Sequence, residues 1–185
     1  FYFSATGNSK YVAERVACAT DDHLIFLRDA IRSRCYHFDV SLEKRIGFVV
    51  PAYCCGLPSI LNFFVDKLRL SGYEDQYVYL VLTCGSATGD AAGQLGKLLG
   101  KKGIALNAQF AVSMVDNNVT AHKIPDREEI DRRLDGAEEY SDEACRAIRA
   151  RGAGDYNRCQ GALPGALTAA SYPAYAFGRS TKPFV

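Results

Sequence analysis

Two wholly apolar runs, Ile46-Gly47-Phe48-Val49-Val50 and Tyr77-Val78-Tyr79-Leu80-Val81-Leu82, constrain this chain more than any other feature. Neither run alternates with polar residues, so each reads as a strand covered on both faces. Each leads into a loop rich in glycine or hydroxyl side chains and then into a helical pattern. Alternation of this kind is the signature of a parallel sheet with helices on both faces. Pro51 closes the first run, because proline removes a donor from the ladder.

The rest of the chain fits around these two strands. Phe1-Tyr2-Phe3 reads as the end of a first strand, and a few residues are expected to precede Phe1. Ser9 to Ala19 has a helical stripe of Tyr11-Val12, Val16 and Ala19. His23 to Leu27 reads as a second short strand. Helices are expected over Ser59 to Leu70, with Ile60-Leu61, Phe63-Phe64-Val65 and Leu68 as their stripe, and over Asp90 to Gly100. Phe110 to Val115 supplies a fifth strand. Asp126 to Ala150 is a long helix whose Glu and Arg residues recur three or four apart. The reading is an α/β domain over residues 1–151, with five strands in an open doubly wound sheet. From Gly152 onward Gly, Ala, Pro and Tyr dominate, so 152–185 reads as a linker or surface-wrapping tail rather than a second core.

In an open parallel sheet, ligands bind beyond the carboxyl ends of the strands. Three loops there carry unusual chemistry. Ser4-Ala5-Thr6-Gly7-Asn8-Ser9 sets hydroxyls and an amide around one glycine at the start of a helix. The unpaired N–H groups of that end, with the helix dipole, favour a phosphate. It is neither a Walker loop nor a dinucleotide fingerprint, since G-K-[ST] and G-x-G-x-x-G are both missing. Pro51-Ala52-Tyr53-Cys54-Cys55-Gly56-Leu57-Pro58 offers an aromatic face at Tyr53 and a conformationally free peptide at Gly56. Thr83-Cys84-Gly85-Ser86-Ala87-Thr88-Gly89 has two glycines and three hydroxyls after a buried strand. Each loop alone also suits a plain helix cap, turn or connector.

The first loop resembles the FMN-phosphate loop of the flavodoxins. The run Tyr2-Phe3-Ser4-Ala5-Thr6-Gly7-Asn8-Ser9-Lys10-Tyr11 resembles that of ferredoxin-containing flavodoxins, in which a two-cluster ferredoxin follows the FMN domain. The resemblance spans about residues 1–120 and includes the P-x-Y-x-x-G-x-P pattern of the second loop. It implies a flavodoxin-like sheet of order 2-1-3-4-5 binding FMN. Ser4, Thr6, Gly7, Asn8 and Ser9 would hold the phosphate. Pro51, Ala52, Tyr53, Cys55 and Gly56 would border the ring, with the Cys55–Gly56 peptide reorienting toward the flavin N5–H on reduction. Thr83 and the backbone N–H groups of Cys84, Gly85 and Gly89 would lie against the pyrimidine edge. It further implies electron relay between flavin and iron–sulfur centres, in a partner protein or a fused ferredoxin module beyond Phe184-Val185. Two alternatives stand beside it. One is an FMN-dependent NAD(P)H:acceptor reductase of the quinone type. The other is a CheY-like signalling domain, disfavoured because Ser4, Thr6 and Ser9 stand where its acidic residues would be.

Other features yield blander readings. A net charge of +1 gives no footprint for nucleic acid or an acidic membrane, and no apolar run is long enough to span a bilayer. Seven cysteines in no framework and without C-x-x-C fit reduced thiols in a cytoplasmic protein and argue against a metal site. The vicinal Cys54–Cys55 pair reads as small hydrophobes rather than catalytic thiols. His23, His37 and His122 show no ligand spacing, and the lysines from Lys97 to Lys102 read as a solvated helix end. The near-neutral charge departs from the acidic surface usual in flavodoxins.

Overall fold

The computed structural model describes residues 1–116 and 125–177; His122 and the last residues, Phe184-Val185, lie outside them. The elements run α1 (Asn8–Thr20), α2 (Leu27–Arg32), β1 (His37–Asp39), β2 (Arg45–Pro51), α3 (Ser59–Lys67), β3 (Arg69–Ser71), β4 (Tyr77–Cys84), α4 (Ala91–Gly100), β5 (Ala108–Ser113), α5 (Arg127–Arg149), β6 (Gly154–Tyr156) and α6 (Pro164–Phe177). The main sheet is parallel and four-stranded, in the order β2-β4-β5-β6, and β1 pairs with β3 in a separate parallel ribbon.

The two apolar runs sit side by side as β2 and β4, in register from Arg45–Tyr77 to Pro51–Thr83. Every residue of β4 is buried. The period-two geometry of a strand divides its side chains between two cores. Val78, Leu80 and Leu82 join Ile46, Phe48 and Val50 beneath α2, α3 and α4, where Leu61, Phe64 and Leu95 are fully enclosed. Tyr77, Tyr79 and Val81 join Val49, Phe110 and Val112 beneath α1 and α5. A Cβ at Gly47, paired with Tyr79, would fall 2.3 Å from that ring. The small residue thus makes room for the large one across the ladder.

The five-strand expectation needs correction. The first two segments contribute single parallel bridges, Tyr2 to Phe26 on one side and Tyr2 to Val49 on the other. Four backbone hydrogen bonds hold Tyr2 between them: Tyr2 N–H to Ile25 O, Leu27 N–H to Tyr2 O, Phe3 N–H to Val49 O and Val49 N–H to Phe1 O. Leu27, assigned to the second strand from sequence, instead opens α2. The helix expected over Ser59 to Leu70 stops at Lys67, and Arg69 begins β3. The segment after Gly152 adds β6 beside β5 and then forms α6. No described helix is long and apolar enough to cross a membrane.

Candidate functional site

The segments leaving Tyr2, β2, β4 and β5 all emerge at the carboxyl edge of the sheet and enclose one cleft of about 580 Å³. Their side chains knit together there. The Ser9 and Thr83 hydroxyls, both buried, are hydrogen bonded at 2.7 Å and tie the first loop to the third. Asn8 Nδ2 donates to Val115 O at 3.0 Å, and Ala52 N–H to Thr83 O at 2.8 Å. Arg133 of α5 reaches Gly85 O at 3.2 Å. Of the expected site residues, Ser4, Thr6, Asn8, Ser9, Pro51, Ala52, Tyr53, Cys55, Thr83, Cys84 and Gly85 line the cleft.

Gly7, Gly56 and Gly89 do not line it. Gly7 is the N-cap of α1, with φ 115°, a conformation open to glycine and costly for other residues. Its N–H is taken by Ser4 Oγ at 3.0 Å. The α1 N-terminus has no capping side chain and no acidic residue in its first turn. A helix end left in that state favours an anion. The hydroxyl, amide and backbone donors around it fit a phosphate.

The second loop folds differently from the sequence expectation. Tyr53 and Gly56 exchange backbone hydrogen bonds of 2.9 and 3.0 Å around a two-residue turn. Positive φ falls on Cys54 (47°) and Cys55 (60°), while Gly56 is outside that region. A turn with both central residues left-handed favours Asn-Gly, so two cysteines there store strain. Gly56 is required by close approach rather than by torsional freedom, for an added Cβ would lie 2.2 Å from the Tyr172 ring of α6.

Helix α6 is the part of the site that sequence reasoning missed. Thr168, Tyr172 and Tyr175 fall on one helical face, at i, i+4 and i+7. The Thr168 hydroxyl accepts from Asp90 N–H at 2.8 Å and donates to Cys55 O at 2.5 Å. Tyr172 Oη donates to Leu57 O at 2.8 Å and accepts from Asn62 Nδ2 at 2.9 Å. Ser59 N–H donates to Tyr175 Oη at 3.1 Å. Tyr175 lines the cleft, its ring 5.6 Å from that of Tyr53. Ser86, Ala87, Val115, Asp116 and Cys54 also line it, unforeseen. The signal for α6 was three polar side chains at helical spacing in a stretch with no charged residue.

Burial, and next the neighbouring Tyr175, raises the Tyr53 phenol above its usual pKa. Burial raises the Cys55 thiol as well, reinforced by Cys54 and opposed by a hydrogen bond with Ser171. Both groups are therefore neutral near pH 7. Among the described residues, no group of three or more His, Cys, Asp or Glu side chains is placed to hold a metal ion.

No family model matches the chain, and no curated protein matches it. Among solved structures, it is similar to the Trp repressor binding protein from Bacillus subtilis at 17% identity and a TM-score of 0.46, over 75% of this chain and 94% of that one. It is similar to an azoreductase from Bacillus anthracis strain Sterne at 16% identity and a TM-score of 0.45, over 78% and 98%. It is also similar to an FMN-dependent NADH-azoreductase from Bacillus anthracis strain Ames Ancestor, in complex with FMN, at 14% identity and a TM-score of 0.38, over 79% and 67%.

Proposed function

We propose that the cleft binds one FMN and that the protein is an FMN-dependent reductase of a small acceptor. The observation that carries the reading is the cleft itself. It lies beyond the strand ends of a parallel sheet and is lined both by the loop that opens an uncapped helix and by two tyrosine rings. Its volume is in the range of small-molecule and cofactor sites. Ser4, Thr6, Asn8 and the α1 terminus would hold the phosphate, and Tyr53 would face the ring. The backbone at Cys84 and Gly85 would meet its pyrimidine edge. FMN, when bound, supplies the transfer of two electrons from NAD(P)H to the acceptor. The chain's own residues bind, orient and shield. The flavodoxin-like order 2-1-3-4-5 belongs to this proposal, with Tyr2 and Phe26 in the places of its first two strands.

Electron relay to an iron–sulfur protein or a fused ferredoxin module is the second reading. The match of Tyr2 to Tyr11 and of Pro51 to Pro58 to ferredoxin-containing flavodoxins favours it. One preparation separates the two. Released cofactor is identified by chromatography, and the protein is then titrated reductively and mixed with NADH or NADPH. FMN reduced in a single two-electron stage, with NAD(P)H consumed when a quinone is added, supports the reductase. Two separable one-electron stages without NAD(P)H consumption support the relay. Failure to retain or take up FMN sinks both.

A further inference from the structure

Among the described residues lining the cleft, Asp116 is the one charged side chain. It packs against the third loop, where a Cβ added at Gly85 would fall 2.8 Å from Asp116 Oδ2. Reduction adds negative charge to a flavin, and a carboxylate beside it opposes that charge. A cation reaches the same loop from behind. Arg133 of α5 donates from Nη1 to Gly85 O at 3.2 Å and from Nε to Glu129 Oε1 at 2.6 Å. Arg132 Nη2 meets the other oxygen of that carboxylate, Oε2, at 2.6 Å. Glu129 N–H is in turn held by Asp126 Oδ1, the N-cap of α5, at 2.9 Å.

The guanidinium is thus aimed at the loop by a braced carboxylate. Arg133 and Glu129 keep only 33% and 29% of their side-chain surface exposed, so solvent screens them less than an open surface pair. The peptide they reach has a defined direction. It is trans, which sets its C=O and N–H on opposite sides. Gly85 O points toward α5, and no residue of α5 lines the cleft. The N–H of the same peptide belongs to Ser86 and points away from α5. Ser86 is exposed and lines the cleft, and its N–H has no hydrogen-bond partner among the described residues.

We propose that Arg133 is a positioning residue that sets the redox balance of the cleft's cofactor. It holds and polarises the Gly85–Ser86 peptide, so that Ser86 N–H becomes a strengthened donor to the pyrimidine edge of the flavin and favours the reduced form. The proposal rests on the FMN reading of the cleft and adds to it the group that offsets Asp116. Arg133 itself does not line the cleft. Its charge acts through the peptide, because a hydrogen bond to the carbonyl oxygen strengthens the donor on the other side of the same unit. A donor fixed in advance is most effective where charge develops. Glu129 has a double effect. Its Oε1 holds the Arg133 Nε in place, while its negative charge cancels part of the guanidinium's.

The test is the midpoint potential of FMN bound to the full chain, compared in the native protein, Arg133→Gln and Glu129→Gln. In Arg133→Gln, reduced FMN should lose about tenfold in affinity relative to oxidised FMN, which lowers a two-electron potential by about 30 mV. Glu129→Gln keeps an oxygen for the Nε bond and removes only the charge, so its potential should rise. The opposite signs separate charge from structure, since a loosened loop would move both variants the same way. An unchanged potential in Arg133→Gln, or a fall in both variants, would overturn the proposal. If Arg133→Gln does not fold, Glu129→Gln decides alone: a rise supports the proposal, and no change or a fall overturns it. A native chain that takes up no FMN overturns the reading of the cleft, whereas FMN bound with potentials indifferent to both substitutions overturns this inference alone.

Discussion

A Cβ added at Gly56 would meet Cδ2 of Tyr172 at 2.2 Å and Cε2 at 2.5 Å. That ring has little freedom to withdraw, because its hydroxyl is held by Leu57 O and Asn62 Nδ2. Gly56→Ala is therefore expected to destabilise the fold by about 1–3 kcal/mol, the usual cost of overpacking. A double-mutant cycle in urea checks it: the loss should shrink in a Tyr172→Ala background, and equal losses in both backgrounds would remove Tyr172 as the cause. The phosphate end is tested by charge. Thr6 is exposed and lines the cleft beside the uncapped α1 terminus, so Thr6→Glu puts a carboxylate where the phosphate would sit. FMN affinity should fall about tenfold, roughly 1.4 kcal/mol, while riboflavin, which lacks the phosphate, binds as before. Flavin fluorescence reads both. Equal weakening of the two ligands would place the phosphate elsewhere.

At the scale of elements, the site depends on α6, and α6 depends on Thr168. Its hydroxyl bridges Asp90 N–H and Cys55 O, so Thr168→Val leaves a donor and an acceptor in a buried place without their partner. The expected loss is about 1–3 kcal/mol, concentrated locally. Amide hydrogen exchange should quicken across α6 and the Cys54–Leu57 turn, with β4 unchanged. Uniform quickening would show that α6 is no separate unit. The same elements show what was legible in the chain. Strands β2 and β4 could be read because each is an unbroken apolar run, and helices α1, α3, α4 and α5 because each is long enough to show its period. Strands β1, β3 and β6 have three residues each, too few for any pattern. Helix α6 has no charged residue and carries Pro173, a composition that reads as linker, although its polar residues lie on one face. The three loops were read as neighbours because strand ends in a parallel sheet must converge. The wall supplied by Tyr175 depends on a long-range docking that local pattern does not encode.

For the molecule as a whole, the two-faced core ties stability to pH in one direction. Tyr77 and Tyr79 point from β4 into the core beneath α1 and α5, their rings 5.8 Å apart, and Tyr77 Oη donates to Gly152 O at 2.7 Å. Burial, helped by Tyr156 and opposed by Arg45, pushes the Tyr77 phenol up to about 12. Burial and then Asp22 push Tyr79 up as well, again opposed by Arg45. An unfolded tyrosine titrates near pH 10. Between that value and the folded one, the unfolded chain has released protons that the folded chain still holds, so stability falls as pH rises. Below about pH 10 both states hold these protons, and the two tyrosines add no slope. Tyr77→Phe should cost about 1 kcal/mol at pH 8 through the lost hydrogen bond to Gly152. It should also make the alkaline decline shallower, because one of the two raised phenols is gone. Urea midpoints of the native chain and the variant, measured from pH 8 to about pH 11, test both statements. A variant that loses stability with pH as steeply as the native chain would mean that Tyr77 does not contribute to the decline. The link between its burial in β4 and the alkaline limit of the fold would then fail.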